Sequence, residues 1–263
     1  MSPRVQSVVL PLGGLAALLA IWAWFARGGN GGATDFPTPL EVAQGFGDQF
    51  TARPGEHAPI LVRHVVSSLF RTTYGFLLAA LLGIPLGLAM GWYGRAFWSL
   101  NPLVQMLRFI SPIAWIPISI MLFHGDNMRS VFLIFLAAFF PIVVSTAAAV
   151  RAIPQVYIRA AENFQLTGRQ LFGTVIFPAA LPQIVTGLRV AFGVAWIVVV
   201  AAEMVAVQEG LGWLIIDARY QGARTDLIVG TIIIIGLLGL ALDLVLRRME
   251  NLDQVRWGIT KRG

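Results

Sequence analysis

The chain has 263 residues, 57% hydrophobic and only 12% charged, with a mean hydropathy of +0.76; a soluble domain carries about a quarter charged residues, so half that share excludes an ordinary soluble protein. Cysteine is absent and the three histidines, His57, His64 and His124, are scattered, which excludes a disulfide framework and leaves no zinc-binding pattern. The net charge of +6 rests on arginine with a single Lys261, and the positives flank apolar runs, as expected of membrane topology rather than of a nucleic-acid surface.

In chain order, Val8–Phe25 is a first candidate span, long enough with its flanks for a hydrocarbon core of about 30 Å. A signal peptide is the competing reading, but Trp22, Trp24 and Phe25 before Arg27 form an aromatic belt and a poor cleavage region. Residues 28–59 are polar and rich in Gly and Pro, with a short helix expected to start at Pro39. Ile60–Phe70 reads as a separate amphipathic piece with Arg63, His64 and Arg71, followed by a second span over Thr72–Met90. Gly83, Gly87 and Gly91 there permit close helix packing, and Pro85 a kink. Pro102–Phe123 is read as the third span and Ser130–Val150 as the fourth.

A polar, charged helical stretch, Arg151–Pro178, then interrupts the apolar chain before the fifth span, Pro182–Val207. Gln208–Asp226 reads as a re-entrant or surface hairpin, and Leu227–Leu246 is the sixth span, stopped by Arg247 and Arg248. About thirty amphipathic residues in a chain of otherwise short loops suggest a docking site; a helix lying on the bilayer surface is the alternative. Ala160 and Ala161 offer a small-residue face, with Phe164, Leu166, Leu171 and Phe172 as apolar contacts beside Arg159, Glu162 and Arg169.

Six spans place both termini on one side. That side collects Arg4, Arg95, Arg151, Arg159, Arg169, Arg247, Arg248, Arg256, Lys261 and Arg262 against three acids, whereas acids outnumber arginines on the other. Both termini and the Arg151–Pro178 loop are therefore expected in the cytoplasm. No Gly-x-x-x-x-Gly-Lys-Ser/Thr sequence occurs, so ATP-driven work requires another polypeptide. No nucleophile–base–orienter set can be assembled either, so the residues do not point to an enzyme.

Charges within spans are costly, about 2.5–3.5 kcal/mol at a helix centre on insertion scales. Arg108, Ser111 and Trp115 fall at spacings that let them share a helix face, where a guanidinium beside a hydroxyl and an indole would attract an oxyanion. Snorkelling of Arg108 to the interface is the alternative. Arg189 reads as snorkelling or pairing with the loop, while Glu203 and Asp243 read as pairing with arginine or capping backbone donors. A proton relay through those two acids is the sharper rival. With Arg189 and Trp196 of the fifth span, Arg108, Ser111 and Trp115 form the candidate translocation path.

The order Ala160-Ala161, Thr167, Gln170-Leu171-Phe172, Ile176, Pro178, Ala179-Ala180-Leu181-Pro182 and Gly187-Leu188-Arg189 resembles the EAA loop of ABC importer permeases. Two departures stand out: Arg159 replaces the usual Glu, and Gln165 the usual Gly. The resemblance extends over most of the chain beyond residue 60. Leu107-Arg-Phe-Ile-Ser-Pro-Ile-Ala-Trp looks like permeases for nitrate, bicarbonate, taurine and alkanesulfonates. It implies an all-α polytopic membrane protein with six transmembrane helices, a type I ABC importer permease fold. Residues 1–60 would hold the first span and a periplasmic connection, and 61–263 the permease core with its coupling loop, 151–178. It further implies that Arg159, Ala160, Ala161, Glu162, Phe164, Leu166, Thr167, Gly168 and Phe172 couple to a cytoplasmic ATPase dimer. ATP and Mg would be bound there and no cofactor by this chain. A periplasmic or lipid-anchored binding protein and a second permease copy would complete the assembly in a bacterial inner membrane. The expected cargo is a small oxyanion; an uncharged or amino-acid-like substrate, or proton-coupled secondary transport, are the alternatives.

Overall fold

The computed structural model describes residues 3–28, 36–45, 47, 59–222 and 224–250, and among these every regular element is helical. The chain divides into two compact units, residues 1–65 with 214–236, and residues 66–213 with 237–263.

In the first unit, α1 (Pro3–Ala26) is followed by α2 (Pro39–Gly45). The entry to α2 is a reciprocal capping box: the Thr38 backbone N–H donates to Glu41 Oε2 at 2.7 Å, and the Glu41 N–H to Thr38 Oγ1 at 3.3 Å. Pro39 opens the helix as its sequence suggests, because its missing N–H is not needed there. Trp22 Nε1 donates to the Pro37 carbonyl at 3.0 Å, and Trp22 and Phe25 meet Phe36 edge to face.

The helix α3 (Ile60–Trp92) corrects the expected break before Thr72: the amphipathic piece and the span form one helix of 33 residues. Nothing between Phe70 and Thr72 stops it, since Arg71 is accommodated by burial against partners described below. Gly75, Gly83, Gly87 and Gly91 recur on one face of α3, which packs on α6 (Asp126–Arg151). A Cβ at Gly87 would lie 2.8 Å from the Val143 carbonyl oxygen and 2.6 Å from the Thr146 Cβ; one at Gly91 would lie 2.6 Å from the Val150 Cβ. Only glycine permits this separation, the small-residue packing expected of membrane helices. In turn α6 packs along α9 (Phe177–Ala206), with Gly187 against Ser145.

The expected third span is not one helix. It is split into α4 (Gly94–Arg108), a 3-10 turn (Pro112–Trp115) and α5 (Ile116–Leu122), and the two halves meet at 88°. Pro112 lacks an N–H and forces Ser111 to ψ 131°, outside the helical region. Among the described residues four helices, Ile60–Trp92, Asp126–Arg151, Gly168–Ala206 and Thr225–Arg248, are long and apolar enough to cross a membrane, and the count is five when the bent pair is taken as one span. Among the described residues α1 contributes a further apolar stretch, Leu12–Ala26, at the position of the first span read from sequence. The expected hairpin after α9 contains a helix, α10 (Leu211–Tyr220), ahead of α11 (Thr225–Glu250).

Candidate coupling loop and translocation residues

The polar loop is built as a small folded piece. After α6 ends at Arg151, Pro154 sets the extended backbone that starts α7 (Gln155–Asn163). That helix closes with a Schellman pattern: the Gln165 N–H donates to the Glu162 carbonyl at 2.8 Å, and the Leu166 N–H to the Ala161 carbonyl at 3.1 Å. The closure requires a left-handed residue, and Gln165 has φ 61°. The departure from the family's glycine therefore keeps the turn and adds the strain of a side chain in that region. Gly168, also left-handed at φ 55°, opens α8 (Gly168–Leu171), and a π-helical turn (Phe172–Ile176) joins it directly to α9.

The loop's inner face is its own core. Ala161 and Leu171 are buried with Val150, Ile153, Ile176, Ala180 and Ile184, and Leu166 and Phe172 pack against them. The two alanines thus divide: Ala161 faces the core, while Ala160 faces outward with Arg159, Glu162 and Thr167. Phe164 is 81% exposed, and Val156 and Tyr157 are exposed on the same short helix. A protruding aromatic ring among apolar and charged neighbours is the composition of a docking hot spot.

The candidate translocation residues fall out differently. Arg108, Ser111 and Trp115 do not share a helix face, because α4 ends at Arg108 and Ser111 belongs to the extended break before Pro112. Arg108 lies over the Phe109 ring at 5.1 Å, and Trp115 packs edge to face on Phe132. Arg189 pairs with Asp243 of α11 (Nε to Oδ1, 2.7 Å), and Arg247 joins the same carboxylate at 2.8 Å. Trp196 is buried, and a side chain at Gly239 would run into its indole.

The expectation that Glu203 pairs with an arginine or caps backbone donors is met, at a site whose partners the sequence did not name. Arg71 and Glu203, both fully buried, pair at 2.8 Å. Arg71 also donates to the Glu209 carbonyl at 2.5 Å and through Nε to Asn127 Oδ1 at 2.8 Å. Glu203 accepts from Ser68 Oγ at 2.8 Å and from the Gly212 N–H at 3.1 Å. Gly210 (φ 116°) lies so close that a side chain there would meet the Glu203 carboxylate. The signal was present: two opposite charges inside apolar runs, each too costly to bury alone. Among the described residues, no group of three or more His, Cys, Asp or Glu could hold a metal ion.

A family model described as the binding-protein-dependent transport system inner membrane component matches residues 83–252. The bicarbonate transport system permease protein CmpB of Synechococcus elongatus is 37% identical, over 91% of this chain and 87% of that protein. The nitrate import permease protein NrtB of Leptolyngbya laminosa is 36% identical, over 86% and 80% respectively. The taurine transport system permease protein TauC of Escherichia coli is 33% identical, over 95% and 90%. Among solved structures, a chain of the MetNI methionine ABC transporter in an inward-facing conformation superposes with a TM-score of 0.66, at 18% identity, over 76% of this chain and 97% of that one. That likeness is one of fold.

Proposed function

Because the chain belongs to the family of binding-protein-dependent transport system inner membrane components, we propose that it moves a small oxyanion of the nitrate, bicarbonate or sulfonate class across the inner membrane. Membership makes it a multi-pass permease subunit of an ABC importer, working with a separate ATPase and a substrate-binding protein. The observation that carries the cargo class is that relatives named for bicarbonate, nitrate and taurine each align over most of both chains.

In this reading two copies of the chain form the pore, with α1 as the sixth crossing and both termini in the cytoplasm. The exposed face of the loop, Arg159, Ala160, Glu162 and Phe164, seats on the ATPase, which binds ATP and Mg. Leu166 and Phe172 hold that face to the core, while Thr167 and Gly168 set the turn into α8. Nucleotide-driven closure of the ATPase pair draws the two loops together, and α9 transmits the movement to the spans. The pathway then opens to the binding protein, and hydrolysis resets it. Arg108, Ser111, Trp115, Arg189 and Trp196 remain the candidates beside the pathway, with Arg189 acting through its pair with Asp243.

The test is ATPase activity of the purified complex in lipid, with its binding protein, across nitrate, bicarbonate, taurine, and alkane- and arylsulfonates. Stimulation by one of these anions is expected; no stimulation by any of them, with an active binding protein, overturns the cargo assignment. Coupling is tested at exposed positions. Phe164→Ala should lower stimulated ATPase activity about tenfold or more, as loss of an interfacial aromatic anchor does, and Ala160→Trp should block it. Ala161→Trp is unsuitable because it overfills the loop's own core.

A further inference from the structure

We propose that a cavity between α4 and α6, beside the start of the coupling loop, is a binding station for the transported oxyanion; this rests on the cargo reading above and names where the cargo is held. The cavity has a volume of about 440 Å³. Its polar lining consists of Asn101, Gln105 and Arg151, and the lining includes no carboxylate.

The two helices present these groups by register. Phe97, Asn101 and Gln105 lie four residues apart on one face of α4, and Val144, Ala148 and Arg151 on the facing side of α6. Met90 and Ala147, both buried, form an apolar wall. The Arg151 Cζ lies 3.9 Å from the centroid of the Phe97 ring, a cation–π contact that uses none of the guanidinium N–H donors in a hydrogen bond. Among the described residues, no carboxylate or carbonyl accepts from it. Gln105 Nε2 reaches Asn101 Oδ1 at 3.5 Å, too long to use up either carboxamide.

A planar cation with free donor edges, two half-buried carboxamides and no competing acid are what a small oxyanion needs: bidentate N–H donors at one end and further amide donors at the other. Carboxamides on a membrane helix are costly without such a use. The same stripe continues one turn on to Arg108, whose guanidinium likewise meets no acceptor among the described residues, so α4 carries a polar track from this cavity to the break at Ser111. Because Arg151 also ends α6 where the coupling loop begins, an anion held there sits against the part that senses nucleotide.

The experiment is saturation binding of labelled nitrate, bicarbonate and taurine to the permease–ATPase complex in nanodiscs without binding protein, alongside uptake of the same anions by the complete importer. Saturable binding of the transported anion is expected. It should weaken about tenfold or more in Arg151→Gln and in the Asn101→Leu/Gln105→Leu double variant, and recover in part in Arg151→Lys, with ATPase co-purification as the check on folding. The nanodiscs are made once with zwitterionic lipid and once with anionic lipid. Binding absent in both, binding unchanged in the variants, or retention of anionic lipid in place of the labelled anions overturns the site. Uptake of an oxyanion by the parent importer alongside any of those results leaves the cargo reading standing; absence of all oxyanion uptake sinks that reading itself.

Discussion

Among the described residues, two ion pairs join helices within the larger unit, and they are built on opposite principles. Arg71–Glu203 is sealed: both side chains are fully buried, and each is also tied to polar groups of Ser68, Asn127, Glu209 or Gly212. Arg189–Asp243 is open to its surroundings, at 26% and 35% exposure, and Arg247 shares the carboxylate. A sealed pair is strongly destabilising to break, because the surviving charge has nowhere to go. An exposed pair with a second cation beside it exchanges partners cheaply. The first suits a fixed joint between α3, α9 and the turn before α10; the second suits a contact that changes as α9 and α11 move.

The contrast can be broken at the sealed pair first. Glu203→Ala strands Arg71 and should cost about 3–5 kcal/mol, read as loss of thermal stability or failure to purify with the ATPase. Adding Arg71→Met should restore much of it, since an apolar pair of similar volume can replace a buried ion pair. A double variant no better than Glu203→Ala would mean that the joint depends on the charges themselves. Next, Gly210→Ala forces a side chain into a left-handed position facing the carboxylate and should cost about 1–3 kcal/mol in a melting experiment. The smallest change in stability is expected for Asp243→Asn, with a melting temperature close to the parent's but a slower transport cycle. A large loss of stability there would erase the distinction between the two sites.

The apolar spans, the glycine face of α3 and the loop were legible because each is a local pattern: a run, a four-residue spacing, a charged interruption. The break at Ser111 was legible in principle, since Pro112 stood in the sequence, but three residues that fit a helical spacing hid it. Partner choice was not legible. Nothing in the spacing of residues 71 and 203 says that they meet, and Arg189 had equally plausible partners in the loop and on α11. The division between Ala160 and Ala161 was likewise invisible, because two adjacent small residues differ only in which way their helix faces.

The π-helical turn at Phe172–Ile176 carries one more consequence. From Gly168 to Ala206 the chain runs as 39 helical residues without a sharp break, a rod of roughly 58 Å at 1.5 Å per residue. If the loop takes up movement from the ATPase, as proposed above, it is the short arm of a lever whose long arm is α9. A tilt of about 10° at its root would sweep the far end, where Glu203 is fastened, through roughly 10 Å over that length. That fastening resists such a sweep, so part of the movement is taken up at the pivot, where the i→i+5 hydrogen bonds of the π-helical turn give the backbone room to shift register.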